Sequence, residues 1–161
     1  MIAQIVQIEK KTCAVFGFFI SGIPLPWKAP TRRAAWKPGE RAMMGNLRVQ
    51  EWQNYARVQI NLALTEARSQ YPSLLFPHTS EVRLKLIFKL PAKKGQALKY
   101  HQPIIKPDLT NCQKALEDAL KGSFFDDDSR CCEIRSMKEW APLAQSGVWV
   151  EIVLVKPKQK E

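Results

Sequence analysis

Asp108, Lys114 and the run Asp126-Asp127-Asp128 are the residues of this 161-residue chain whose types and spacing fit chemistry. They lie in the stretch KPDLTNCQKALEDALKGSFFDDD, residues 106–128. Thr110-Asn111-Cys112-Gln113 fits the S/T-x-x-E/Q capping box, so Thr110 is the expected N-cap of a helix. Leu109, Cys112, Leu116 and Leu120 make its apolar stripe, and Gly122 supplies its stop. Asp108 stands just before this helix and the three aspartates just after it. Acids so placed can meet in space if the next strand folds back. Clustered oxygen ligands suit a hard divalent cation such as Mg²⁺. The candidate ligands are Asp108 and Asp128, with Asp127 as neighbour or substitute; Asp126 reads as a loop residue. A cation held there could activate a water and bind a phosphodiester. Lys114 lies four residues beyond Thr110, on the same side of the helix. It could stabilise developing negative charge, or simply pair with Asp118 one turn further on. Asn111 could orient an acid or bind phosphate.

The elements that must position these residues are legible in outline. Residues 2–8 read as a short strand, and Cys13 to Ile20 as a buried one. Gly22 and Pro24, Pro26 and Pro30 mark an ordered loop. Asn46 is the expected N-cap of a long helix reaching about Ser69, with Val49, Trp52, Ala56, Ile60, Ala63 and Ala67 at steps of three and four. Tyr55, Val58 and Leu62 are expected to widen that buried stripe, and Arg48, Arg57 and Arg68 to be solvated. Val82 to Leu90 alternates apolar and cationic residues, which predicts a half-buried strand. Phe124 and Phe125 are expected to anchor a return loop in the core. Residues 130–140 and 147–155 then predict two strands joined by a turn. The expected architecture is α+β, in the order β-α-β-α-β-β, a small mixed or antiparallel sheet packed by two helices. One domain spans residues 1–161, with 1–11 as an N-terminal extension and 156–161 as a frayed tail.

Charge narrows the partner. Lys and Arg outnumber Asp and Glu by 25 to 15, a net charge of +10, which points to nucleic acid or another polyanion. Residues 82–107 hold seven Lys or Arg and no acid. Lys93, Lys94 and Lys99 lead from that strand toward Asp108 and suit phosphate attraction. Lys28, Arg32 and Arg33 alternate with Trp27 and Trp36 in a second basic, aromatic stretch. The four cysteines show no zinc spacing and read as reduced thiols of a cytoplasmic protein. The short apolar run after Lys10-Lys11 fits a buried strand better than a signal peptide, and no run is long enough to span a bilayer.

The order Lys-Pro-Asp-Leu-x-Asn-x-x-Lys, a short helix and Asp-Asp resembles the RusA-type Holliday junction resolvases. Glu133, Arg135 and Lys138 fall where that family carries an acid, a basic residue and a lysine. The N-terminal part matches more loosely, through Gly22-Ile23-Pro24-Leu25-Pro26 with arginines beyond. The resemblance implies a small, typically phage- or prophage-encoded homodimer that nicks four-way DNA junctions symmetrically with Mg²⁺. It implies no small-molecule cofactor and no membrane. It implies Asp108, Asp128 and Lys114 as catalytic residues, with Lys106, Asn111 and Lys138 at the DNA. One departure stands out: Thr110 occupies the place of a second family aspartate. The competing expectation is therefore a junction-binding protein whose nuclease activity is weakened or lost.

Overall fold

The computed structural model describes residues 2–8, 11–27, 40–70, 80–92, 101–104 and 106–156; side chains are described at 11–27, 47–69, 80–92, 101–104 and 106–156. Strand β1 (Ile2–Ile8) precedes β2 (Lys11–Ser21), and the long helix α1 (Glu40–Gln70) follows. Next come β3 (Glu81–Pro91), helix α2 (Leu109–Leu120), β4 (Cys131–Ala141) and β5 (Gly147–Val155). The strands form one mixed sheet in the order β1-β2-β5-β3-β4. Neighbours are antiparallel except β3 and β4, which run parallel. The α+β class and the β-α-β-α-β-β succession hold from β2 onward. β1 adds a fifth strand at the edge, its seven residues paired with β2 from Ile2↔Gly17 to Ile8↔Lys11.

Alternation in the strands selects the buried face. Phe16, Phe18 and Ile20 of β2 stand opposite Ile152, Val150 and Val148 of β5, which in turn stand opposite Leu84, Leu86 and Phe88 of β3. All nine are buried, and they share a core with Trp52, Ala56 and Ile60 of α1 and Leu116 and Leu120 of α2. The cationic side of β3 lies on the other face, where Lys85 is exposed. Gly147 permits the close approach of β5 to β2: a Cβ there would collide with the carbonyl oxygen of Ile20 and the ring of Phe19.

Three expectations about α1 are corrected. The helix starts at Glu40, so Asn46 lies inside it rather than capping it. Ala42, Met43 and Met44 are strong helix formers, and together they outweigh the local preference of Asn46 for a cap. Tyr55, Val58 and Leu62 are 48%, 59% and 66% exposed, so they do not widen the buried stripe. One sheet and one neighbouring helix can cover only one side of α1. Arg57 is not free in solvent. Its guanidinium donates to the Asp118 carbonyl at 3.1 Å and to Asn54 Oδ1 at 3.0 Å, tying α1 to α2. The buried amide of Gln53 adds a second tie, donating to the Ala115 carbonyl at 3.1 Å.

Candidate functional site

Helix α2 organises the site. Its apolar side is Cys112, Ala115, Leu116, Ala119 and Leu120, all buried, and its far side leaves Thr110 and Lys114 exposed. Asp108, not Thr110, is the N-cap. Its carbonyl accepts the Cys112 amide at 3.1 Å, which makes Thr110 the second helical residue. The cap is a backbone one: Asp108 is extended and only its carbonyl enters the helix. The expected capping box does not form, because Thr110 lies inside the helix and Gln113 is no longer the third residue after the cap. Gln113 donates to Glu117 Oε1 at 2.7 Å and accepts from Ser136 Oγ of β4 at 2.8 Å.

The Asp108 side chain does no capping work. It is exposed, and Asn111 Nδ2 donates to it at 3.4 Å. The turn that carries Asp108 contains a cis Lys106–Pro107 bond and is held from β4, where Lys138 Nζ donates to the Pro107 carbonyl at 3.2 Å. Lys138 thus supports the turn, whereas Lys106 is exposed beside it. Cys112 lies beneath; burial pushes its thiol up to about 12, against the pull of Lys138.

At the other end of α2 the return loop is anchored as expected. Phe125 is fully buried, and Phe124 stacks on Phe18 with ring centroids 5.7 Å apart. The three aspartates then take separate partners. Asp126 accepts from Arg130 Nε at 3.3 Å. Asp127 caps a short 3-10 turn (Asp128–Arg130) by accepting the Ser129 amide at 2.9 Å, and hydrogen bonds from Ser129 hold its carboxyl below the usual range. Asp128 pairs with Lys121 Nζ at 3.1 Å, which raises the lysine above its ordinary value.

Asp108 therefore stands at one end of α2 and Asp128 at the other. Strand β4 does fold back along the helix, since Ser136 meets Gln113 and Lys138 meets Pro107. It starts from the C-terminal end, however, so it leaves the acids apart. Between Leu109 and Leu120, the residues at the two helix ends, α2 is about 18 Å long. Among the described residues no three of His, Cys, Asp or Glu are grouped to hold a metal ion. Asp108, beside Asn111, and Asp128, beside Lys121, thus face opposite ends of the helix.

Sequence reading missed two features here. Glu117 is half-buried on α2, and burial, with Asp128 adding to it, raises its carboxyl above the ordinary value. Only its position one turn before Lys121 could have flagged it. Lys114 Nζ lies over the Trp27 ring, 5.1 Å from its centroid, a contact that no local pattern contains. Lys28, Arg32, Arg33, Lys93, Lys94 and Lys99 lie outside the described residues. Among the described residues no helix is long and apolar enough to cross a membrane.

No curated protein matches the chain. Residues 26–153 match the model of the family described as endodeoxyribonuclease RusA, a span that runs from the Pro26-Trp27 loop through α2 and the aspartates into β5. With most of its length matched, including every element that carries an acid considered above, the chain belongs to the RusA endodeoxyribonuclease family.

Proposed function

We propose that the protein is a divalent-cation-dependent endodeoxyribonuclease that resolves four-way DNA junctions by paired nicks and works as a homodimer. Family membership supports the nuclease class. The observation that carries the rest is the placement of Asp108 and Asp128 at opposite ends of α2, both exposed. Acids held against opposite ends of a helix about 18 Å long are not placed to share one cation whose oxygen ligands lie about 2 Å from it. Two copies related by a two-fold axis, with their α2 helices antiparallel, would set Asp108 of one beside Asp128 of the partner subunit. The same operation makes the second site, because a two-fold interface is self-complementary. Two equal sites suit two opposing strands of a junction.

In this reading Asp108 and Asp128 hold Mg²⁺ between the subunits. Asp127 is the lesser candidate, because its carboxylate is occupied in capping the turn. Asn111 keeps Asp108 oriented. Lys114 is exposed between the two acidic ends and offers positive charge to a phosphate oxygen. Lys106 and the basic stretches around residues 28–33 and 93–99 attract the backbone, and a net charge of +10 supports that role. A second reading, a junction binder with weakened activity, rests on Thr110. It is exposed in the first turn, two residues from Asp108, where an acid would add a ligand charge. The two readings separate when a labelled four-way junction is incubated with Mg²⁺ and with EDTA. Symmetric nicks that require the cation are expected. Tight binding without nicks at any Mg²⁺ concentration would favour the second reading.

A further inference from the structure

The segment after β2, residues 22–27, is fastened at both its ends. Gly22 donates to the Ser146 carbonyl at 3.0 Å, and Trp27 donates from its backbone to the Asn111 carbonyl at 2.9 Å. Pro24 is buried, and Leu25 and Trp27 pack against the core. These contacts lay the Trp27 indole along the first turns of α2, where the Lys114 ammonium stands over it at 5.1 Å. Asn111 joins the two ends of this arrangement: its carbonyl receives Trp27, and its side-chain amide reaches Asp108. An ammonium within about 6 Å of an indole centroid is attracted by the ring's quadrupole. A lysine side chain is otherwise free among many rotamers, so a ring that restricts it also aims it.

We propose that Trp27 is a positioning residue for Lys114, holding its ammonium on the exposed side of α2 where it meets a phosphate oxygen of bound DNA. The proposal rests on the reading of Lys114 given above. The alternative is a purely structural Trp27, packed in the core with the lysine stem lying across it. It differs in consequence, because a packing residue affects stability and leaves the contribution of Lys114 unchanged.

The test is a double-mutant cycle of Trp27→Leu with Lys114→Ala, with Trp27→Phe as the conservative variant and thermal melts as the folding control. The first readout is the ¹H–¹³C signal of the Lys114 ε-methylene, assigned by its loss in Lys114→Ala. It is expected upfield of ordinary lysines through the ring current, partly retained in Trp27→Phe and returned to the ordinary position in Trp27→Leu. The second readout is nicking. Trp27→Leu is expected to lower kcat about three- to five-fold with KM unchanged, the size of an exposed cation–π contact. Trp27→Phe is expected to stay within about twofold, and Trp27→Leu to have no further effect once Lys114 is Ala. An unshifted ε-methylene in the parent, or an equal effect of Trp27→Leu with and without Lys114, overturns the proposal. If the parent cuts no junction, the nuclease reading fails by itself. The ε-methylene shift and the same cycle read in junction Kd then decide the role of Trp27.

Discussion

At the scale of single residues, Thr110 tests what the helix start contributes. The hydroxyl does not cap α2, because Asp108 occupies the N-cap and Thr110 lies inside the first turn. Thr110→Ala is therefore expected to change stability by no more than about 0.5 kcal/mol, rather than by the larger cost of losing a cap. Thr110→Asp places a negative charge in the first turn of a helix, where it stabilises by about 0.3–1 kcal/mol. It also adds a carboxylate two residues from Asp108. Its nicking rate is expected to exceed the parent's most clearly at limiting Mg²⁺, and a Mg²⁺ titration of all three proteins with thermal melts measures both effects. Glu117 gives a pH dependence whose sign follows from its raised carboxyl. A carboxyl raised on folding costs stability when ionised, and the cost vanishes once pH falls below the unfolded value of about 4.3. Glu117→Gln is expected to melt higher than the parent at pH 8, and the difference to shrink toward pH 4. A constant difference across that range would assign the change to packing instead. The sequence made Asp108, Lys114 and the aspartates visible because motif order survives in one dimension. It could not choose between Asp108 and Thr110 as cap, since both types satisfy the same need. The Trp27–Lys114 contact was out of reach because it joins residues distant in the chain.

At the scale of elements, the pairing of β2 with β5 depends on a missing side chain. Gly147 lies opposite Ser21 in the register, and any Cβ there strikes the Ile20 carbonyl and the Phe19 ring. Gly147→Ala is expected to destabilise by about 1–3 kcal/mol, the usual cost of forcing extra volume into a packed site. Urea denaturation checks this, and an unchanged midpoint would mean that β5 can shift away from β2 without cost. The strands were legible because their alternation matches the single buried face of the sheet, as in Val82, Leu84, Leu86 and Phe88. The stripe on α1 was only half legible. Val49, Trp52, Ala56 and Ile60 recur at helical spacing and are buried, but Val58 and Leu62 are apolar and exposed. Sequence alone does not reveal how wide an arc of a helix its neighbours cover. Neither does it reveal that β4 starts beside Lys121 and runs back toward Pro107, the fact that keeps Asp108 and Asp128 apart.

At the scale of the whole molecule, the separation of these two acids is the reason to expect a second copy in the working enzyme. A family nuclease with its candidate ligands at opposite ends of one helix needs either a large rearrangement or a partner that completes the site. The well-packed faces of α2 argue for the partner, since Cys112, Leu116 and Leu120 are fully buried and Gln113 is tied to Ser136. The most direct test mixes two inactive chains. Asp108→Asn and Asp128→Asn are each expected to bind junctions and not nick them; the Asp108 side chain makes no capping hydrogen bond, so the first variant should fold normally. In a mixed dimer purified through two different tags, one interface site would keep Asp108 from one chain and Asp128 from the other, and the second site would lose both. The account predicts that this mixed dimer regains Mg²⁺-dependent nicking on one strand of each junction, while both parent variants stay inactive. A mixed dimer as inactive as its parents, or full nicking by either variant alone, would contradict a site shared between two copies.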